Sequence, residues 1–162
     1  MAFSSLIEAL GDELTDGANP HPDLGIHANL EILVTQLGSG RAAARFLGVA
    51  ESTLRGWRRG VNPRGRSAEI FLAARNASLG TQWKAGYDGT GELAIKGRIR
   101  VSNDFRDRTI HHGRVIPIEL MRRILTTWRR GSDARAEALL YGAIDRYYQP
   151  VEFIDIERAW FE

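Results

Sequence analysis

Apolar residues recur every three or four positions in the first half of the chain and alternate only later, so the pattern predicts helices first and strands afterwards. Leu6, Leu10 and Leu14, spaced at four behind Ser4-Ser5, predict a short helix with a serine N-cap. Gly17 to Leu24, with Pro20 and Pro22, predicts a loop, which leaves the first helix free to dock, to pair with another copy or to move. Leu30, Ile32, Leu33 and Leu37 predict a helix from Ile26 to Leu37, ended by Gly38-Ser39-Gly40. The next stretch, RAAARFLGVAESTLRGW from Arg41 to Trp57, has the spacing of two helices crossing through a tight turn. Ala44 falls at the crossing, Gly48 at the turn, Val49 beneath it, and Leu54 and Trp57 on the inward side of the second helix. Ala50 cannot cap that second helix with its side chain, and Gly56 interrupts it; each costs about 1 kcal/mol. Gly56 could also let the backbone come close to a phosphate. Gly60 to Arg66 predicts a loop, and Ser67 a cap for a helix running to about Asn76 with Ile70, Leu72 and Ala74 inward.

After Gly80 the grammar changes. Asp88-Gly89 and Thr90-Gly91 predict a turn, and ELAIKGRIRV alternates, with Ile95, Ile99 and Val101 on one face and Lys96, Arg98 and Arg100 on a basic outer face. Asn103 to Arg108 reads as a polar loop, Thr109 to Ile116 as a second strand, and Pro117 as the start of a helix carrying Leu120, Ile124, Leu125 and Trp128. Gly131-Ser132-Asp133 separates it from a helix with Ala136, Leu139, Leu140, Ala143, Ile144 and Tyr147, closed by Pro150. VEFIDIERAWFE predicts a third strand. A strand, a proline and two helices also describe a ribbon-helix-helix, in which 109–116 would pair with its twin and direct His111, His112 and Arg114 into a groove. The other reading pairs that strand within its own chain. Either way, self-association is expected in the C-terminal part.

The fold class expected is therefore α+β and mainly helical. A helix-turn-helix unit precedes a small unit of two or three strands and two helices. The divisions are an acidic helix and loop at 1–24, a DNA-binding domain at 25–80 and an oligomerisation or partner-binding domain at 91–162.

Composition sharpens this. Apolar residues make up 43% of the 162 positions, enough for a core, and the absence of cysteine removes disulfides, thiolate zinc sites and a cysteine nucleophile. The N-terminus lacks the charged start of a secretory signal, and nowhere do about 18 apolar residues run together, so a cytoplasmic, nucleoid-associated protein with no membrane partner is expected. The net charge of +2 conceals a strong segregation. Residues 1–40 carry six acids and no Lys or Arg, whereas 41–66 carry seven arginines and one glutamate. Residues 67–132 are again basic and 133–162 acidic. A basic middle between acidic ends is what a polyanion-binding face leaves in a sequence.

The candidate interface follows from the helix pair. With Leu54 and Trp57 inward, Glu51, Ser52, Thr53, Arg55, Arg58 and Arg59 fall near base edges, while Arg41, Arg45, Arg64 and Arg66 steady phosphates. Double-stranded DNA is the expected partner, bound by a homodimer or higher oligomer. No cofactor is expected, and no enzyme activity: there is no Walker-type loop or zinc pattern. Asp155 and Glu157 share a strand face that reads as a solvated edge, and His21 and His27 stand six apart across a proline-bearing loop without a carboxylate pattern.

The helix-turn-helix, the loop with Pro63 and Arg64, the strand GRIRV, the proline-led helix pair and the ending VEFIDIERAWFE resemble the telomere-protecting terminal proteins of linear actinobacterial replicons and their relatives on mobile elements. The likeness runs from about Leu30 onward, and its most specific piece is the C-terminal VEF-DIE. Twenty arginines against two lysines suit a high-GC genome. The resemblance implies DNA binding in replication, maintenance or transcriptional control of a plasmid, phage or other mobile element; a separate reading is an interaction protein whose helix-turn-helix is a relic and whose C-terminal unit recruits a replication or partition protein. The resemblance also implies an alternative, a terminal protein that primes end replication through a hydroxyl side chain. The matching region, Val101 to Ile110, is shorter than the resemblance implies; its only hydroxyls are Ser102 and Thr109, and no residue is carried over as the primer.

Overall fold

The computed structural model describes residues 2–89, 91–101, 103–145 and 151–162. Thr90, Ser102, Tyr147 and Pro150, each given a place above, lie outside the described residues, as do the side chains of His112 and Arg114. The chain is α+β and mainly helical. Its elements are α1 Leu6–Leu14, a 3-10 turn at Pro22–Leu24, α2 Ile26–Leu37, α3 Gly40–Leu47, α4 Glu51–Arg58, α5 Ser67–Ser78 and a short α6 Thr81–Lys84. Strands β1 Glu92–Val101 and β2 Asp104–Val115 follow, then α7 Ile118–Arg129, α8 Asp133–Asp145 and β3 Val151–Phe161. Among the described residues no helix is long and apolar enough to cross a membrane. Two compact units result. Ala18–Gly80 forms a helical unit, and the residues up to Gly17 join Thr81–Glu162 in a sheet unit.

In the helical unit, α2 to α5 enclose a core of leucine, isoleucine, alanine and one tryptophan. Leu30, Leu33 and Ile70 are fully buried, and Ala43 and Ala44 are small enough to let α3 lie close to its neighbours. Ser39 caps α3 by accepting from the Ala42 N–H at 3.0 Å. Gly48 ends it at φ +69, with its N–H on the Arg45 carbonyl and the Val49 N–H on that of Ala44. Nothing lies near the missing Cβ, so the glycine is needed for its left-handed backbone and not for space. Ala50 stands at the N-cap of α4 with no side-chain bond. The cap expected of Ser67 is not made: Ser67 is the first residue of α5, and Arg66 holds the cap position. Arg66 still serves the helix start, because it fixes Glu69, an acid of the first turn where the helix dipole favours negative charge.

The sheet unit is built on β1, with antiparallel order β2-β1-β3. The stretch 103–108, expected as a loop, is strand from Asp104 onward. Its register with β1 runs from Lys96↔Thr109 through Ile99↔Arg106 to Val101↔Asp104, so backbone pairing, which ignores side-chain polarity, decides the conformation. Strand 109–116 thus finds its partner in its own chain. Leu93, Ile95 and Ile99 of β1 are buried, as are Ile124 and Trp128 of α7 and Ala136 and Leu140 of α8.

The outer face of β1 is basic in sequence but compensated in the fold. Lys96 pairs with Glu157 at 2.8 Å, Arg100 with Glu152 at 2.5 Å, and Arg98 lies in register between Asp107 and Asp155. Asp155 and Glu157 remain exposed on this edge strand.

The first helix is docked. Phe3 exchanges both backbone hydrogen bonds with Ile156 of β3, and Glu137 of α8 receives the first turn of α1. The Leu6 and Ile7 N–H groups donate to its carboxylate at 3.0 and 2.6 Å, and the Ser5 hydroxyl at 3.2 Å. A carboxylate at a helix N-terminus satisfies donors that have no partner inside the helix. Glu137→Ala should therefore destabilise the sheet unit by about 2 kcal/mol, seen as a lower thermal midpoint, with Glu137→Gln recovering part of the loss.

Candidate nucleic-acid interface

Helix α4 is eight residues long and held from below by Leu54, 1% exposed, and Trp57, 9% exposed. Counting about 100° per residue from those two places Ser52, Arg55, Gly56 and Arg59 furthest outward. Glu51 and Arg58 lie on the flank toward α3 and α2, and Thr53 on the opposite flank. All of these except Gly56 are exposed. The space beside Gly56 is occupied by Val61, whose N–H bonds the Gly56 carbonyl and whose side chain would touch an added Cβ at 3.7 Å. The close backbone approach suggested for Gly56 is therefore filled from within.

The ten residues singled out in the sequence separate into two groups by their partners. Arg45, Arg55, Arg59 and Arg64 are exposed and have no ion-pair partner among the described residues. Ser52 and Thr53 are exposed beside them. The remaining four are engaged. Arg41 reaches Glu51 at 3.3 Å across exposed surface. Arg58 is gripped through Nε and Nη2 by both carboxylate oxygens of Glu31 on α2, at 2.8 and 3.1 Å. Arg66 turns inward: its guanidinium lies 5.4 Å from the Trp57 ring centroid, donates to the Leu47 carbonyl at 3.2 Å and holds Glu69 in a fork. That position closes the C-terminal end of α3 and supports the tryptophan, a structural duty distinct from the phosphate contact expected of it.

Two carboxylates outside the ten, Glu31 and Glu69, are thus paired with members of the set. The hydrogen bond from Arg58 holds the Glu31 carboxyl below its ordinary range, helped by the Arg58 charge and by His27; Arg66 does the same for Glu69. Sequence reading missed Glu31 because its partner is 27 positions away. The one available signal was the four-residue spacing of His27 and Glu31 along α2. His27, Glu31, Arg55, Arg58 and Arg59 line an open groove of about 440 Å³.

His21 is committed to the 3-10 turn, where its Nδ1 accepts from the Asp23 N–H at 3.2 Å and its carbonyl from the Asn29 amide at 2.9 Å. Among the described residues no three His, Cys, Asp or Glu side chains cluster as a metal site would require. Thr109 lies in β2 opposite Lys96. No family model, curated protein or solved structure matches this chain.

Proposed function

We propose that this chain binds duplex DNA in a sequence-directed way, with α4 entering the major groove. The observation that carries the reading is the contrast between the two basic surfaces. The bases of β1 face acids on β2 and β3, whereas Arg55 and Arg59 project from the outward side of a short, firmly anchored helix and have no ion-pair partner among the described residues. An arginine so presented is the side chain best suited to the two acceptors of guanine, and Ser52 and Thr53 can bond any base edge. Arg45 and Arg64, exposed on α3 and on the loop after α4, are suited to phosphates on either side of the groove.

On the resemblance described above, the proposed setting is replication, maintenance or transcriptional control of a mobile element. The acting form proposed is a homodimer. A two-fold dimer would read half-sites about 34–36 Å apart, a whole turn of DNA.

Selection from a random duplex library, followed by fluorescence anisotropy on the enriched sequence, tests this. Arg55→Ala should weaken the selected complex by about 1–3 kcal/mol and relax preference at one base pair. Enrichment of no sequence, or full retention of affinity and preference by the variant, overturns the reading.

A further inference from the structure

The groove beside α4 shares Arg55 and Arg59 with the base-reading face but adds a chemistry that base reading does not need, in His27, Glu31 and Arg58. Three guanidinium groups and one imidazole surround it, and its single carboxylate, Glu31, already occupies the fork of Arg58. We infer that this groove is a phosphate seat, and that Glu31 is the internal anion a phosphate replaces. The bidentate grip on Glu31 is the geometry with which a guanidinium takes two phosphate oxygens. Both partners are accessible, the side chains of Arg58 and Glu31 being 38% and 40% exposed. An ion pair so exposed is worth at most about 1 kcal/mol, so a phosphate also held by the neighbouring Arg59 can displace it. Arg59, exposed and without an ion-pair partner among the described residues, supplies a second guanidinium on the same wall.

The ligand is a phosphodiester or pyrophosphate-type anion. Its assignment to the backbone of a bound duplex rests on the reading of α4 given above; the chemistry of the seat does not. In a duplex complex Glu31 acts as a sequence-blind brake: it holds one arginine off the backbone until a phosphate is delivered to it, lowering affinity for all DNA alike.

Three proteins, the wild type, Glu31→Gln and Arg58→Ala, are compared on a mixed-sequence duplex and on the library-selected one over a range of salt. Glu31→Gln removes the carboxylate that competes for Arg58 and should tighten both complexes about fivefold at an unchanged salt slope, the number of phosphate contacts being the same. Arg58→Ala should weaken both alike and flatten the slope by about one. Neither should change the ratio between the two duplexes, in contrast to Arg55→Ala. If the wild type binds DNA but Arg58→Ala keeps its slope, or Glu31→Gln its affinity, the seat is refuted while the DNA reading stands. If no duplex is bound at low salt, the DNA reading falls, and a titration with inorganic pyrophosphate followed at the His27 imidazole by NMR decides the rest. Movement in the wild type that is lost in Arg58→Ala identifies a seat for free polyphosphate, and no movement refutes the seat.

Discussion

Replacing Trp57 with alanine should destabilise the helical unit by about 3–5 kcal/mol, enough to unfold it at room temperature. The ring is 9% exposed, roofed by the Arg66 guanidinium and packed into the same core as Leu54, Ala44 and Ile70. Removing it leaves a cavity that α4 cannot collapse into, because the helix is only eight residues long and its cap residue, Ala50, adds no side-chain bond. A unit of this size, Ala18–Gly80, holds little stability in reserve. The measurement has an internal control. Trp57 is the only tryptophan between Ala18 and Gly80, while Trp83, Trp128 and Trp160 belong to the sheet unit. Helix loss in circular dichroism, with the remaining tryptophan fluorescence still native, is the expected result. An unchanged melting profile would contradict the packing described.

Gly97→Ala should be nearly as damaging, at about 3 kcal/mol or more, and confined to the sheet unit. Gly97 sits in the central strand between two irregularities in the β1–β3 register, at Lys96/Gly97 and Arg98/Ile99. Its missing side chain is a requirement of space. A Cβ there would overlap the Asp155 carbonyl oxygen and stand 3.0 Å from the Ile156 Cα, both of them backbone atoms that no rotamer change can move. Hydrogen exchange should show lost protection along β1 and β3, with amides of α2 to α5 unaffected. Retained protection in β3 would mean that the bulge tolerates a side chain.

These two residues mark the limits of what the chain discloses by itself. The helical unit is legible because its determinants are local: Leu54 and Trp57 stand three apart, Gly48 ends a helix at a left-handed backbone, and an arginine set falls opposite the apolar stripe. What escaped depends on residues far apart in sequence. Arg58 looks free until Glu31 is brought to it. The strand GRIRV looks like a basic surface until Glu152 and Glu157 arrive from β3. Asp104 to Arg108 looks like loop because its own side chains are polar, yet the ladder with β1 sets its shape. The place of α1 depended on Glu137, more than a hundred positions away. Gly97 stands unremarked inside ELAIKGRIRV, because nothing local reveals the backbone pressed against it.

Because α1 belongs with the strands, the helical unit is an insertion: the polypeptide departs at Gly17 and returns at Thr81. Both of its ends are thereby anchored in the same folded body. A break in the peptide chain anywhere between them creates two fragments but releases neither, since the leading one stays fastened through Phe3, Ile156 and Glu137. Local melting of the inserted helices makes a tethered loop and not a loose tail. The entropy gained is smaller than a free terminus would allow, and the unit refolds from ends that never drift far apart.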